Sequence, residues 1–121
     1  VVPVPKKNIA AYARLAKQAS KIWREHGALE YRECVGDDLE AKFCLPFPKG
    51  IKTKPGETVI FAYIVYKSRA HRDKVNAKIM KDPRLHFHGN TACLAGMCDP
   101  KDMPFECARM LYGGFKTLVE A

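Results

Sequence analysis

The sequence lacks the features that would direct it into a membrane or out of the cell. It has no apolar run approaching the roughly 18 residues that a bilayer-spanning helix needs. It also lacks the basic start, apolar stretch and small-residue cleavage site of a secretion signal. We therefore expect a cytoplasmic protein with no membrane partner. Because the sequence begins with Val1 rather than Met, we also expect native residues upstream of it or the removal of a tag.

A glycine-rich phosphate loop is also missing. The only adjacent glycines, Gly113 and Gly114, fall inside a predicted strand, whereas a phosphate loop connects a strand to a helix. The sequence shows neither an internal repeat nor a low-complexity tract. We therefore expect no nucleotide cofactor, and the sequence indicates no other cofactor.

The composition is that of one globular domain spanning residues 1–121. The 121 residues are 47% hydrophobic and 28% charged, which excludes wholesale disorder and a fibrous repeat. A chain of this length buries roughly two-thirds of the surface that its unfolded form exposes. Its five cysteines are an odd set in a chain that can fold without disulfides, so we expect reduced thiols.

The charge is strongly positive and partly concentrated in one segment. The chain has 21 Lys and Arg against 13 Asp and Glu, a net charge of +8 with His neutral, which favours polyanionic partners. Seven of the cations lie within residues 67–84: Lys67, Arg69, Arg72, Lys74, Lys78, Lys81 and Arg84. The same segment has no Phe, Tyr or Trp to stack on bases, so a solvated helix face is favoured over an RNA-binding surface.

Hydrophobic periodicity divides the first half of the chain into strands and one helix. Residues 1–4 are the β-branched end of a strand, and residues 29–35 alternate like a second strand. Between them, apolar residues recur at helical spacing, with Asn8 as the predicted N-cap and Gly27 as the terminator. Residues 40–57 are rich in Pro and Gly and predict a loop.

The second half completes an α+β pattern. A third strand, residues 58–66, is apolar on both faces, so something must cover each side of the sheet. Ser68 predicts the start of a second helix that ends near residue 81, and residues 109–119 predict a final strand. The resulting order is that of a ferredoxin-like βαββαβ domain, an antiparallel sheet with two helices on one face. A second copy of the chain is the economical cover for the other face, which predicts a homodimer.

Three stretches of the sequence carry a family resemblance. They are WREHGALEYREC at residues 23–34, PGETVIFAYIVYKSRAHRDKVNAKIMKDPR at residues 55–84 and DPKDMPFECARMLYGGF at residues 99–115. Together with VVPVPKKN at the start, they closely resemble the YbaA-like family of small uncharacterised bacterial proteins. The resemblance implies the dimeric α+β barrel superfamily, whose members commonly hold small organic molecules. Two departures from the family pattern are a lost cation around Cys107 and an apparent insertion between Leu85 and Leu94.

Four polar residues on the predicted strands form a candidate acid/base pocket: Glu33, Tyr63, Arg109 and Tyr112. In this hypothesis Arg109 binds a carboxylate or enolate, Glu33 moves a proton, and a tyrosine donates to a developing oxyanion. The alternative is structural, because strand Tyr and Arg side chains are more often packing groups with a polar tip at an edge or interface.

Two histidines and two cysteines in the apparent insertion are candidate zinc ligands: His86, His88, Cys93 and Cys98. In an extended segment, His-x-His places both rings on one side, and imidazoles with thiolates suit zinc. The four-residue separation of the two cysteines exceeds that of a compact zinc knuckle, and there is no second tight pair of ligands. A segment without metal is therefore the favoured interpretation.

Two functions of different classes fit these observations. The leading hypothesis is a protein that binds a small organic molecule in a pocket near the dimer interface without a nucleotide cofactor, and it leaves open whether the molecule is also transformed. The alternative is a non-catalytic interaction protein that associates with RNA through the basic second helix. A steep loss of affinity with added salt would favour the alternative.

Overall fold

The computed structural model describes residues 1–86 and 103–121. The order of the strands and helices is β1 (Val2–Pro5), α1 (Ile9–Glu25), β2 (Glu30–Val35), α2 (Phe47–Gly50), β3 (Glu57–Val65), α3 (Arg69–Met80) and α4 (Pro83–His86). Single 3₁₀ turns span Lys6–Asn8 and Cys107–Arg109. The short α2 interrupts the segment predicted to be a loop. Within the described ranges, no helix is both long and apolar enough to cross a membrane.

The three strands form one antiparallel sheet with β3 in the centre, in the order β1-β3-β2. The register places Val2 opposite Ile60 on one side of β3 and Tyr31 opposite Ile64 on the other. Side chains alternate between the faces of a strand, so these four residues share one face of the sheet. The antiparallel α+β class predicted from the sequence is confirmed.

Both long helices pack on that face. Ile22 and Trp23 of α1 form one buried cluster with Val75 and Ile79 of α3, and Tyr31 and Ile64 of the sheet pack against it. At the β1 end, Val2, Val4 and Ile60 form a second cluster, with Ile9 and Tyr12 of α1 packed against it. The core therefore lies between the sheet and one layer of helices.

The predicted helix ends are right in position, and two of the three end residues act as predicted. Gly27 follows the end of α1 with a φ of 117°, a conformation that glycine adopts without strain. The Ser68 side chain accepts a hydrogen bond from the His71 N–H and so caps α3. Asn8 occupies the N-cap position of α1, but its side chain makes no capping hydrogen bond, and its Nδ2 donates to the Pro104 carbonyl at 3.1 Å.

The predicted strand over residues 109–119 is wrong. Residues 110–121 have no regular structure, and Phe115 is 98% exposed. The backbone N–H of Leu111 donates to the Val1 carbonyl at 2.7 Å, and the Val1 amino group donates back to Leu111 at 2.8 Å. Beyond this reciprocal pair the segment joins no strand of the described sheet, and an extended segment becomes a strand only where its N–H and C=O groups pair with a neighbour. The four-stranded ferredoxin-like sheet is therefore not complete in the described residues.

The second face of the sheet is largely open. On β3, Phe61 is 46% exposed, Tyr63 40% and Val65 36%, and they alternate with the residues that face the helices. The register places Cys34 beside Phe61 and Arg32 beside Tyr63 on this face. Val59 on the same face is buried beside Pro3, so the described residues cover this face only where β3 pairs with β1.

Candidate functional site

A cleft of about 350 Å³ lies between α1 and the helix-facing side of the sheet. Helix α1 contributes one wall and β2 with β3 the other. The lining residues are Ile9, Tyr12, Ala13, Ala16, Lys17, Ser20, Tyr31, Glu33, Val35 and Ile60. The lining is therefore mostly apolar, with one carboxylate, one ammonium group and three hydroxyl groups.

Glu33 is the polar centre of this cleft. The Tyr12 hydroxyl donates a hydrogen bond to Glu33 Oε2 at 2.7 Å, and the Tyr31 hydroxyl donates one to Glu33 Oε1 at 2.8 Å. All three residues are half-buried. Each carboxylate oxygen is thus held by one phenol, and the three polar groups form a single connected unit.

Local folding accounts for the placement of these three groups. Tyr31 and Glu33 are two residues apart on β2, so their side chains leave the same face of the strand. Tyr12 lies on the face of α1 that packs toward the sheet. The Tyr12 ring meets the Phe105 ring edge-on at 5.5 Å, and the Tyr31 ring lies 5.9 Å from Trp23, so the packed core holds both rings in position.

The environment keeps both phenols protonated. Burial raises the pKa of Tyr12 and of Tyr31 well above the ordinary value, and the nearby Glu33 carboxylate raises both further. Their hydroxyl protons therefore stay in place as donors to Glu33 throughout the physiological pH range.

Of the four residues predicted as an acid/base pocket, the structure brings only Glu33 into the cleft. Tyr63 follows Ala62, which is the register partner of Glu33, and so Tyr63 lies on the opposite face of the sheet. There its ring packs beside Phe61, with centroids 6.2 Å apart. Tyr112 is 71% exposed in the C-terminal segment and does not line the cleft.

Arg109 has a structural partner outside the cleft. Its guanidinium binds both oxygens of Glu57 at 2.7 and 2.8 Å and donates to the Lys52 carbonyl at 3.0 Å. These bonds lower the pKa of Glu57 to about 2. Because Glu57 begins β3, this pair ties the segment after residue 103 to the sheet.

The predicted zinc ligands lie mostly beyond the described residues. His88, Cys93 and Cys98 fall outside them, and His86 ends α4. Among residues 1–86 and 103–121, no group of three or more His, Cys, Asp or Glu side chains is arranged to hold a metal ion. Cys34 and Cys44 are free and exposed, whereas Cys107 is disulfide-bonded. The expectation of reduced thiols is therefore wrong at Cys107.

A second polar cluster lies where α1 ends. The side chain of Asp82 is 6% exposed, and it accepts hydrogen bonds from Arg84 and contacts His26 Nε2 at 2.8 Å. Arg84 also pairs with Glu25 at 2.8 Å. These contacts hold the pKa of Asp82 well below its usual range. Sequence analysis did not single out this cluster, because its members come from segments more than 50 residues apart.

Sequence analysis also did not identify Tyr12 and Tyr31 as partners of Glu33. Tyr12 lies among the apolar residues at helical spacing that predict the first helix, and Tyr31 lies within the alternating residues 29–35. The signal available in the sequence was the two-residue spacing of Tyr31 and Glu33, which puts both side chains on one face of a strand, together with a tyrosine on the helix face that covers them.

Comparisons with known proteins agree on one family. Residues 1–106 match the family described as "Protein of unknown function (DUF1428)". Over 120 residues the chain is 34% identical to "Uncharacterized protein YbaA" of Escherichia coli strain K12, covering 99% of this chain and 93% of that protein. The YbaA proteins of Escherichia coli O157:H7 and of Shigella flexneri match to the same extent. The chain therefore belongs to the DUF1428 family, as the YbaA-like resemblance predicted.

Proposed function

We propose that this protein binds a small organic molecule in the cleft between α1 and the sheet, with Glu33 as the polar anchor. The observation that carries the proposal is one carboxylate, fixed by two phenols, within an otherwise mainly apolar cleft. Ligand pockets typically combine apolar walls with a few positioned polar groups, and their volumes start at about 300 Å³. A cleft of about 350 Å³ suits a molecule of modest size rather than a dinucleotide.

The direct test is to detect a ligand and then to block the cleft. Native mass spectrometry of untreated protein would reveal a co-purified small molecule, and NMR titrations would show which added molecules bind. Ala16→Trp fills the cleft, whereas Ala10→Trp places the same ring at an exposed position of α1 that does not line it. We expect binding to be lost in the first variant and kept in the second. Equal binding by both variants would contradict the proposed site.

The proposal includes a homodimer formed through the open face of the sheet. Exposed Phe61, Tyr63 and Val65 supply an apolar patch that the helices of the same chain do not cover. Glu30 and Arg32 lie on this face as a pair 3.8 Å apart. In an interface with two-fold symmetry, the acidic residue of each copy can lie beside the basic residue of the other. A face that carries both charges is therefore self-complementary. Such a dimer supports the finer proposal of a dimeric α+β barrel.

The two proposed surfaces lie on opposite sides of the sheet. Glu33 faces the helices, while Tyr63 faces the open side. We therefore place the ligand site on the helix side, away from the dimer interface, rather than beside it as the sequence-based hypothesis had it.

RNA association through the basic second helix is less well supported. Arg72 binds Asp73 at 2.9 Å, and Arg84 binds Asp82 and Glu25, so two of the seven cations already have anionic partners. The same NMR sample titrated with a short single-stranded RNA at rising salt tests this alternative. Tight binding that falls steeply with salt would favour it over a small-molecule ligand.

A further inference from the structure

We propose that the cleft selects small organic cations, with the ammonium group of the ligand paired to the Glu33 carboxylate. This inference rests on the proposed function and names the class of ligand for the same site. It follows from the hydrogen-bonding capacity that the cleft leaves open, from its charge and from its walls.

The first step concerns hydrogen-bond donors. A phenol has one O–H to donate, and both Tyr12 and Tyr31 donate theirs to Glu33. What these oxygens still offer to a ligand is lone pairs, because a carboxylate can accept about four hydrogen bonds and a hydroxyl about two. The cluster of three groups therefore presents acceptors only. A ligand that binds there must bring the donors, as a primary ammonium group does with three N–H bonds.

The second step concerns charge. None of the ion pairs among the described residues includes Glu33, whereas Asp82 and Glu57 are each bound by an arginine. A half-buried carboxylate without a cationic partner attracts one, since burial of a charge is costly unless it is paired. Two cations of the chain are near. Lys17 lines the same cleft. Burial lowers the pKa of the Val1 amino group and the nearby Glu33 carboxylate partly opposes this, but the amino group donates its hydrogen bond to the Leu111 carbonyl.

The third step concerns the walls. The Tyr12 and Tyr31 rings line the cleft beside the carboxylate, and the faces of aromatic rings attract ammonium groups. Ile9, Ala13, Ala16 and Ile60 then provide an apolar surface for the hydrocarbon part of the ligand. A short amine with an aromatic or aliphatic body fits both parts of the cleft.

The test uses three probes of similar size that differ in the polar group: 2-phenylethylammonium, 2-phenylethanol and 3-phenylpropanoate. NMR titration of the wild-type protein gives the affinity of each. We expect the ammonium probe to bind about tenfold more tightly than the alcohol, because it forms charge-assisted hydrogen bonds, and we expect the carboxylate probe to bind most weakly. This comparison requires no variant, so it does not depend on whether a substitution folds. Equal affinities, a preference for the alcohol or the anion, or the absence of binding by all three would overturn the inference.

Two variants then assign the preference to Glu33. Glu33→Gln should bring the ammonium and alcohol probes to similar affinity, whereas Glu40→Gln, the same change at an exposed residue outside the cleft, should keep the difference. A preference that persists in Glu33→Gln would also overturn the inference.

Failure of the proposed function is distinguishable from failure of this inference. If the Ala16→Trp variant binds probes or co-purified molecules as the wild type does, the cleft is not the site. Neutral or anionic molecules that bind only when the cleft is open would refute the cation selectivity and leave the proposed function standing.

Discussion

The two faces of the sheet differ in what completes them. On the helix face, the register of β3 directs Ile60 and Ile64 into clusters built with α1 and α3, and Glu33 enters the cleft next to them. On the open face, the intervening residues Phe61 and Tyr63 are exposed. A strand that is apolar on both faces thus has two separate explanations, because its own chain covers one face and the proposed dimer would cover the exposed part of the other.

The carboxylates show a similar contrast. Glu57 and Asp82 are bound by arginines at the ends of β3 and α3, where they connect segments of the chain. Glu33 has only phenols as hydrogen-bond partners among the described residues. The first two carboxylates are paired with arginines of the same chain, whereas Glu33 has no arginine partner among the described residues, as the proposed ligand site requires.

The largest expected effect is the loss of stability when a residue buried on the helix face is truncated. Ile79 is fully buried between the helices and the sheet, so Ile79→Ala should lower the free energy of unfolding by about 2–5 kcal/mol. Chemical denaturation monitored by circular dichroism measures this change. Phe61→Ala removes a larger side chain from the open face, yet at protein concentrations low enough to populate monomers it should cost far less. Similar losses in both variants would show that the two faces are equally covered.

The next effect separates the open face from the rest of the surface. Tyr63→Glu places a charge in the proposed dimer interface and should raise the dimer dissociation constant by roughly 30-fold or more. Sedimentation equilibrium measures the constant. Ala10→Glu makes the same charge change at an exposed position on α1 and should leave it unchanged. A monomeric wild-type protein, or an unaltered dimer in Tyr63→Glu, would contradict an interface on this face.

A smaller effect concerns the arginine-bound carboxylates. The pKa of Glu57 is lowered from 4.5 to about 2, so the Glu57–Arg109 pair stabilises the fold above pH 4.5 and loses this contribution as the pH falls to about 2. Glu57→Gln should therefore be less stable than the wild type by about 1–2 kcal/mol at neutral pH, with the difference shrinking toward pH 2. Denaturation curves across this range measure the difference. A difference that is independent of pH would argue against the ion pair as its source.

Local sequence patterns predicted what depends on neighbouring residues. Periodicity located both long helices and the three strands, and the two-residue spacing of Tyr31 and Glu33 is that of side chains on one face of a strand. It could not reveal contacts between distant segments. Glu57 and Arg109 are 52 residues apart, and no local pattern pairs them. The final predicted strand failed for a related reason, because an alternating segment becomes a strand only where another strand offers it hydrogen bonds.

The smallest effect sharpens the contrast within the cleft itself. Lys17 lines the cleft with the same sign of charge as the proposed ligand, so Lys17→Gln should tighten binding of 2-phenylethylammonium by about two- to threefold through the loss of a screened repulsion. The affinity of neutral 2-phenylethanol should not change. Lys21→Gln removes the same charge one turn further along α1, at an exposed residue outside the lining, and serves as the matched control. NMR titration of both probes against the wild type and the two variants measures these affinities. Weaker binding of the ammonium probe to Lys17→Gln would mean that Lys17 assists the ligand, which fits an anionic ligand and contradicts a cationic one.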